Sequence, residues 1–163
     1  PSALSKIEKS LRSRITVTHQ SRPADIEKIK IAYRNIGIEA DVQIFFNDAP
    51  KRIASSHLVI CRAGASTIAE LSAIGRPAIL VPYKYAVDDH QLLNAKAYEE
   101  MGSGWLIKED NFTSLVLEKK LKSLFSDQEK LKVAQLASRK FGKRAASSKI
   151  AKIIDELIDI EGS

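Results

Sequence analysis

Apolar residues along the chain follow two spacings, one typical of buried strands and the other typical of amphipathic helices. Continuous apolar runs at residues 58–61 and 78–81 have the length of strands that are buried on both faces. Elsewhere apolar residues recur every three or four positions, as they do along one face of a helix. Glycines follow three of these helical stretches, where many helices end: Gly37, Gly75 and Gly102.

Strands and helices are predicted to alternate at short intervals. The predicted strands cover residues 15–20, 42–46, 57–61, 78–81 and 104–107. The predicted helices cover residues 1–12 and 23–36, a stretch from residue 47, a stretch from about 67 to 74, residues 89–101, and most of the chain after residue 113. This alternation is typical of a parallel sheet with helices on both faces. The predicted fold class is therefore α/β, a Rossmann-like doubly wound parallel sheet in one domain over residues 1–163.

Composition excludes several classes of protein. Hydrophobic residues make up 44% of the chain, which permits a core of ordinary size and argues against disorder. The single cysteine, Cys61, excludes a disulfide within the chain and fits a reducing cytosol. No apolar run approaches the roughly 20 residues of a membrane-spanning helix, and the start shows no signal-peptide pattern. One cysteine and three scattered histidines suggest no metal site, so we expect no metal and no cofactor.

The net charge of +6 is distributed unevenly along the chain. Residues 61–107 have a balance of −1, whereas residues 108–152 have a balance of +7. The basic excess of the late helices indicates either a solvated face or a weak attraction to an anionic membrane surface. A non-enzymatic module that binds nucleic acid is a distant alternative, because no aromatic residues alternate with the lysines and the sequence has no helix-turn-helix signature. We therefore expect no nucleic-acid partner.

The strongest candidate site is the turn that follows the strand ending at Cys61. Ligands of an open parallel sheet bind beyond the carboxyl ends of its strands. Here small residues lead into a helix N-terminus, whose free N–H groups can hold phosphate or hydroxyl oxygens; they are Gly64, Ala65, Ser66 and Thr67. Glu70 lies one turn further along, where its carboxylate could accept two hydrogen bonds from a vicinal diol. The alternative is an ordinary helix start with Ser66 or Thr67 as N-cap and Glu70 in a capping box.

A second candidate is the helix start after the 78–81 strand. His90, Gln91 and Asn94 fall within one turn, and their polar groups suit sugar hydroxyls. The alternative is a polar first turn capped by Asp88 or Asp89. No serine, cysteine or metal-ligand partner at a diagnostic spacing supports His90 as a catalytic base.

Aromatic residues and isolated histidine and cysteine residues elsewhere give weaker indications of a binding site. Of Phe45 and Phe46, one ring is expected in the core and the other could border a flat base. His19 and Cys61 are expected to be structural, and Trp105 is expected to pack rather than to bind a ligand.

Three motifs in this order and spacing closely resemble the donor-binding lobe of the MurG family. They are the stretches CRAGASTIAEL at 61–71, GRPAILVPY at 75–83 and DDHQLLNA at 88–95. Members of that family are bacterial transferases that move GlcNAc from UDP-GlcNAc onto lipid I, giving lipid II for peptidoglycan. The resemblance covers essentially the whole chain and implies one lobe of a GT-B glycosyltransferase, the C-terminal lobe that binds UDP-GlcNAc.

The resemblance also implies roles for all of the candidate residues except Arg62. Glu70 would bind the ribose hydroxyls, and the backbone of Phe46, with Phe45 beside it, would read the uracil edge. The 64–67 turn would line the diphosphate and the sugar, and GlcNAc would contact His90, Gln91 and Asn94. Arg62 stands at a family motif position without an assigned ligand atom.

Two parts of the family pattern are not found in this sequence. The glycine-rich Gly-Gly-Ser-x-Gly turn and its strand would precede Pro1, and the acceptor lobe would precede them. We therefore expect a lobe lacking its first strand, with its C-terminal helix at 143–160, that is inactive alone and holds no catalytic residue. The whole enzyme would be inverting, take its base from the acceptor lobe, and lie peripherally at the cytoplasmic face of the membrane. The donor subunit of a split, two-chain dolichol-linked GlcNAc transferase is the alternative.

Overall fold

Helices alternate with short strands in the computed structural model, which describes residues 1–86 and 89–142. The strands are β1 Thr16–Gln20, β2 Glu39–Gln43, β3 Val59–Cys61, β4 Ala78–Leu80 and β5 Gly104–Leu106. The helices are α1 Lys9–Arg12, α2 Ile26–Asn35, α3 Ala49–Ser55, α4 Ala65–Ile74, α5 His90–Glu100 and α6 Ser114–Phe125, and the backbone is helical again (α7) over residues 128–142. The helix expected at 143–160 lies outside the described residues.

Every strand pair in the described residues is parallel, which confirms the predicted α/β class with parallel sheets. β1 pairs with β2, and β3, β4 and β5 form a three-stranded sheet in that order. The described residues divide into two compact units, one formed by Pro1–Arg52 and Asp110–Gln128 and the other by residues 53–109 and 129–142.

The core of the first unit lies between α2 and the two-stranded sheet. Tyr33 of α2 is buried together with Ile38 and Val42, and Val17 of β1 packs against them. The hydroxyl of Tyr33 lies 2.9 Å from Nδ1 of His19. Burial raises the pKa of Tyr33 to about 12 and lowers the pKa of His19, so both groups are neutral at pH 7. His19 therefore has the structural role that its position predicted.

The core of the second unit is built around β4, whose three residues are fully buried. Leu71 of α4 and Tyr98 of α5 pack against this strand and are themselves fully buried. The Tyr98 hydroxyl lies 2.6 Å from the carbonyl oxygen of Arg76 and 2.6 Å from Oγ of Ser138. These contacts join α5, the turn after α4 and α7 in one polar network within the core.

The prediction of strands buried on both faces is correct for β4 and wrong for β3. Ile60 in β3 is 43% exposed, and both of its neighbours in the strand are half-buried. β3 pairs with β4 on one side only, so it is less completely covered than the central strand. Burial still raises the pKa of the Cys61 thiol to about 12, and the nearby charge of Glu70 adds to this effect. Cys61 is therefore protonated and unreactive at neutral pH.

Two predicted elements differ most from the structure. The strand predicted over 42–46 is β2, Glu39–Gln43, in which polar residues alternate with apolar ones and pair with β1. The helix predicted over 1–12 is a 3-10 turn at Leu4–Lys6 followed by the single-turn α1. Ser5 contributes to this difference, because its hydroxyl donates to the carbonyl oxygen of Ser2 and competes with helical bonding.

Candidate functional site

The N-terminus of α4 presents three backbone donors that the helix does not use. Gly64 is the N-cap residue, with φ −63° and ψ 150°, and the first helical bond runs from the N–H of Ile68 to the carbonyl of Gly64 at 3.0 Å. The N–H groups of Ala65, Ser66 and Thr67 therefore have no acceptor within the helix. Such a terminus, with its partial positive charge, suits a phosphate or a sugar oxygen.

The capping alternative for this turn is wrong. Gly64 takes the N-cap position and no side chain caps the helix, so Ser66 and Thr67 lie within the first turn. Glu70 is exposed, and its carboxylate accepts no hydrogen bond from residues 1–86 or 89–142. A ligand hydroxyl could therefore donate to this carboxylate without displacing a partner within the described chain.

Space beside the turn is open on the side of Gly64. A methyl group placed on this glycine would meet only Oγ1 of Thr67, at 3.8 Å, among the atoms that the structure describes. Ala65 and Ser66 are exposed and Thr67 is half-buried. The turn thus allows a bulky group to approach the backbone closely.

Asn94 of α5 is hydrogen-bonded to the residue before the same turn. Its Nδ2 donates to the carbonyl oxygen of Ala63 at 3.0 Å, and Ala63 directly precedes Gly64. Gln91, one turn earlier on α5, accepts at Oε1 a hydrogen bond of 3.0 Å from the N–H of Tyr83. Each amide therefore uses one polar atom to hold a loop, while Oδ1 of Asn94 and Nε2 of Gln91 make no hydrogen bond to residues 1–86 or 89–142 and could bind a ligand. His90 is exposed at the start of α5.

The capping alternative for α5 is wrong for Asp89 and falls outside the described residues for Asp88. Asp89 is the N-cap residue, but its side chain makes no cap hydrogen bond. Its φ of 55° is left-handed, which no other non-glycine residue shows within 1–86 and 89–142. Aspartate tolerates this conformation better than most residues.

Arg62 is occupied by the protein itself. One guanidinium nitrogen donates to the carbonyl oxygens of Val81 and Pro82, at 3.2 and 3.3 Å, and another forms an ion pair with Glu109. The second carboxylate oxygen of Glu109 accepts from the N–H of Lys84 at 3.0 Å. The bond from Arg62 and then that from Lys84 lower the pKa of Glu109. The structure thus shows Arg62 and Glu109 fixing the loop that leads towards α5.

Sequence reasoning missed Glu109. It lies 47 residues from Arg62, so no local spacing relates the two side chains. The complementary charge of two residues that follow strand ends was the only signal, and it is weak.

Phe45 and Phe46 follow β2 in the first unit. The ring of Phe46 is 5% exposed and the ring of Phe45 is 66% exposed. One ring is therefore in the core and one is open, as the sequence predicted. The guanidinium of Arg52, a residue that sequence reasoning did not single out, lies 4.1 Å from the centre of the Phe46 ring.

The described part of the chain gives no indication of a metal site or of a membrane span. No group of three or more histidine, cysteine, aspartate or glutamate side chains within it could hold a metal ion. None of its helices combines the length and the apolar character needed to cross a bilayer.

Comparison with protein families gives a match to the glycosyltransferase family 28 C-terminal domain over residues 1–156. Two relatives carry the name UDP-N-acetylglucosamine–N-acetylmuramyl-(pentapeptide) pyrophosphoryl-undecaprenol N-acetylglucosamine transferase. The one from Paramagnetospirillum magneticum is 47% identical over 161 residues, which are 99% of this chain and 43% of the relative. The one from Rhodospirillum rubrum is 42% identical over 98% of this chain and 41% of the relative. The chain thus spans about two fifths of the length of these relatives.

Two solved structures also superpose on this chain. The crystal structure of Acinetobacter baumannii MurG superposes with a TM-score of 0.76 at 26% identity, covering 94% of this chain and 48% of that one. The glycosyltransferase VinC, solved in complex with DTDP, superposes with a TM-score of 0.57 at 15% identity, covering 91% of this chain and 44% of that one. The second likeness concerns the fold alone.

Proposed function

The chain belongs to the glycosyltransferase family 28 C-terminal domain family, and on that premise we propose that it is the UDP-GlcNAc-binding lobe of an inverting transferase. Its α/β fold is that of the C-terminal lobe of a GT-B glycosyltransferase. The whole enzyme transfers GlcNAc from UDP-GlcNAc to lipid I and forms lipid II for peptidoglycan synthesis. The names of the two relatives support this substrate pair.

One observation carries the proposal, namely the unused N–H groups at the start of α4 with Glu70 exposed on the next turn. The diphosphate lies against the N–H groups of Ala65, Ser66 and Thr67, and Glu70 accepts hydrogen bonds from the ribose hydroxyls. Oδ1 of Asn94 and the amide nitrogen of Gln91, with His90 beside them, bind the GlcNAc hydroxyls. Backbone donors suit this site because residues 61–107 have a charge balance of only −1.

These groups favour departure of the nucleotide. The acceptor hydroxyl oxygen attacks C1 of GlcNAc as the bond from C1 to the diphosphate oxygen breaks, so the configuration at C1 inverts. Negative charge then grows on the diphosphate, where the helix N-terminus and its N–H groups stabilise it. The hydroxyl proton passes to a base on the acceptor lobe, so this chain contributes no catalytic acid or base.

The remaining partners belong to the whole enzyme. Lipid I binds through the acceptor lobe, and the enzyme lies at the cytoplasmic face of the membrane without crossing it. The donor lobe binds the nucleotide sugar, and turnover requires the acceptor lobe as well. Because the chain spans about two fifths of the length of its relatives, binding tests use the protein expressed from the complete reading frame.

Calorimetric titration with nucleotide sugars tests the proposal. We expect UDP-GlcNAc to bind. UDP-GalNAc differs only in the orientation of its 4-hydroxyl, and we expect its affinity to be about tenfold lower. ADP-glucose, which has a different nucleobase and lacks the acetamido group of the sugar, serves as the negative control. Absence of binding, or equal binding of UDP-GlcNAc and ADP-glucose, would contradict a UDP-GlcNAc site. An acceptor lobe in the same reading frame would distinguish this enzyme from a split, two-chain transferase.

A further inference from the structure

Arg52 joins three parts of the first unit around the turn at residues 44–48. Its Nε donates to Oδ1 of Asp48 at 2.7 Å, and a terminal nitrogen donates to Oδ2 of Asp41 in β2 at 2.7 Å. Its guanidinium lies 4.1 Å from the centre of the Phe46 ring, within the range of a cation–π contact. One side chain thus connects α3, β2 and the aromatic residue within the turn.

These contacts hold a turn in which two successive side chains are exposed. The strand pairing of β2 ends beyond Gln43, whose carbonyl accepts from the N–H of Ser21 at 2.9 Å. Ile44 and Phe45 are 54% and 66% exposed, so neither side chain anchors the backbone in a core. The buried ring of Phe46 is the main apolar anchor of the segment, and Arg52 lies against that ring.

The charge of Arg52 is satisfied within the unit. Asp48 has a lowered pKa chiefly because Arg52 donates to it, and Asp41 has a lowered pKa because Gln43 and Arg52 both donate to it. Both carboxylates are therefore ionised at neutral pH and oppose the guanidinium. Arg52 is thus poorly suited to bind a phosphate directly, and its contacts indicate that it acts through the turn.

We propose that Arg52 is a positioning residue for nucleobase recognition, which holds the backbone of Phe46 in the conformation that reads the base edge. This inference rests on the proposed function and on the resemblance to the MurG family, which implies that the backbone of Phe46 reads the uracil edge. A lysine would keep the charge, but it lacks the planar fork that reaches two carboxylates and stacks on a ring. We therefore expect nucleobase recognition to need the planar guanidinium at position 52, and a positive charge alone not to be sufficient.

The test is the ratio of the dissociation constants for CDP and UDP, because the two nucleotides differ only at the base edge. We expect the unsubstituted protein to prefer UDP by about tenfold, the ordinary effect of leaving base-edge hydrogen-bonding groups unpaired. Arg52→Gln and Arg52→Lys should each reduce this preference to about threefold or less, while the heat-induced unfolding transition is retained. A general loss of stability would weaken both nucleotides alike and leave the ratio unchanged.

Arg22→Gln is the matched control. Arg22 belongs to the same unit, pairs with Asp25 and is 86% exposed, so its loss removes the same charge without touching the turn. Asp48→Asn removes one carboxylate partner of Arg52 and carries the same expectation if Arg52→Gln does not fold. A UDP preference that persists in the folded variants at position 52 or 48 would overturn this inference alone. An unsubstituted protein without any UDP preference would overturn this inference and the proposed function together.

Discussion

Replacing Leu71 with alanine should lower the free energy of unfolding of the second unit by about 2–5 kcal/mol. Leu71 is fully buried on α4 and packs among the residues around β4. Truncation removes its apolar contacts and leaves a cavity, because close-packed neighbours relax only in part. The single tryptophan, Trp105, lies in β5 of the same unit, so its fluorescence during urea unfolding reports the loss directly.

Leu93→Ala is the matched control, since it deletes the same atoms from α5 at a position that is 60% exposed. We expect this variant to stay within about 0.5–1 kcal/mol of the unsubstituted protein. Equal losses for Leu71→Ala and Leu93→Ala would show that the core assigned to the second unit is wrong.

Replacing Glu70, the residue before Leu71, with alanine should weaken ligand binding but leave the stability of the protein nearly unchanged. We expect stability to change by about 0.5 kcal/mol or less, because the side chain is exposed and holds no hydrogen bond among the described residues. Binding of UDP-GlcNAc should weaken by about 1–3 kcal/mol, because a charged acceptor of the ribose hydroxyls is lost. Isothermal titration calorimetry on the complete protein measures this change.

The 2′,3′-dideoxyribose analogue of UDP-GlcNAc, which lacks both ribose hydroxyls, makes the Glu70 test specific. The analogue should bind the unsubstituted protein more weakly, yet Glu70→Ala should show little further loss with it, because the interaction is already removed. Glu100→Ala, at the exposed far end of α5, controls for the loss of one negative charge. Additive losses in this cycle, or an unchanged affinity for UDP-GlcNAc, would remove Glu70 from the ribose site.

Local patterns were sufficient to predict most of the fold. The continuous apolar run at 78–81 predicted the buried strand β4, and the glycine after Ile74 marked the end of α4, where Gly75 has a φ of 74°. Small residues followed by a periodic helix likewise predicted the turn at 64–67. These features depend on the backbone preferences of neighbouring residues, which sequence shows directly.

Features that depend on distant residues were not predictable in the same way. Glu109 pairs with Arg62 across 47 positions, and Arg52 reaches Asp41 across 11. Side-chain capping was also overestimated, because Ser66 and Asp89 are residue types that cap helices often, whereas the structure leaves both helix starts without a side-chain cap. Tertiary contacts determine these ion pairs and caps, and no local pattern in a single sequence indicates them.

The central claim is that the N-terminus of α4 binds the diphosphate of UDP-GlcNAc. Amide proton and nitrogen chemical shifts, measured by NMR during titration of the complete protein, test it most directly. We expect UDP-GlcNAc to shift the amide resonances of Ala65, Ser66 and Thr67 strongly, because the acceptors of their N–H groups change from water to phosphate oxygens. Uridine, which lacks the diphosphate, should leave these three resonances nearly unchanged. Unchanged resonances at saturating UDP-GlcNAc, or shifts that uridine reproduces in full, would contradict a diphosphate site at this helix N-terminus.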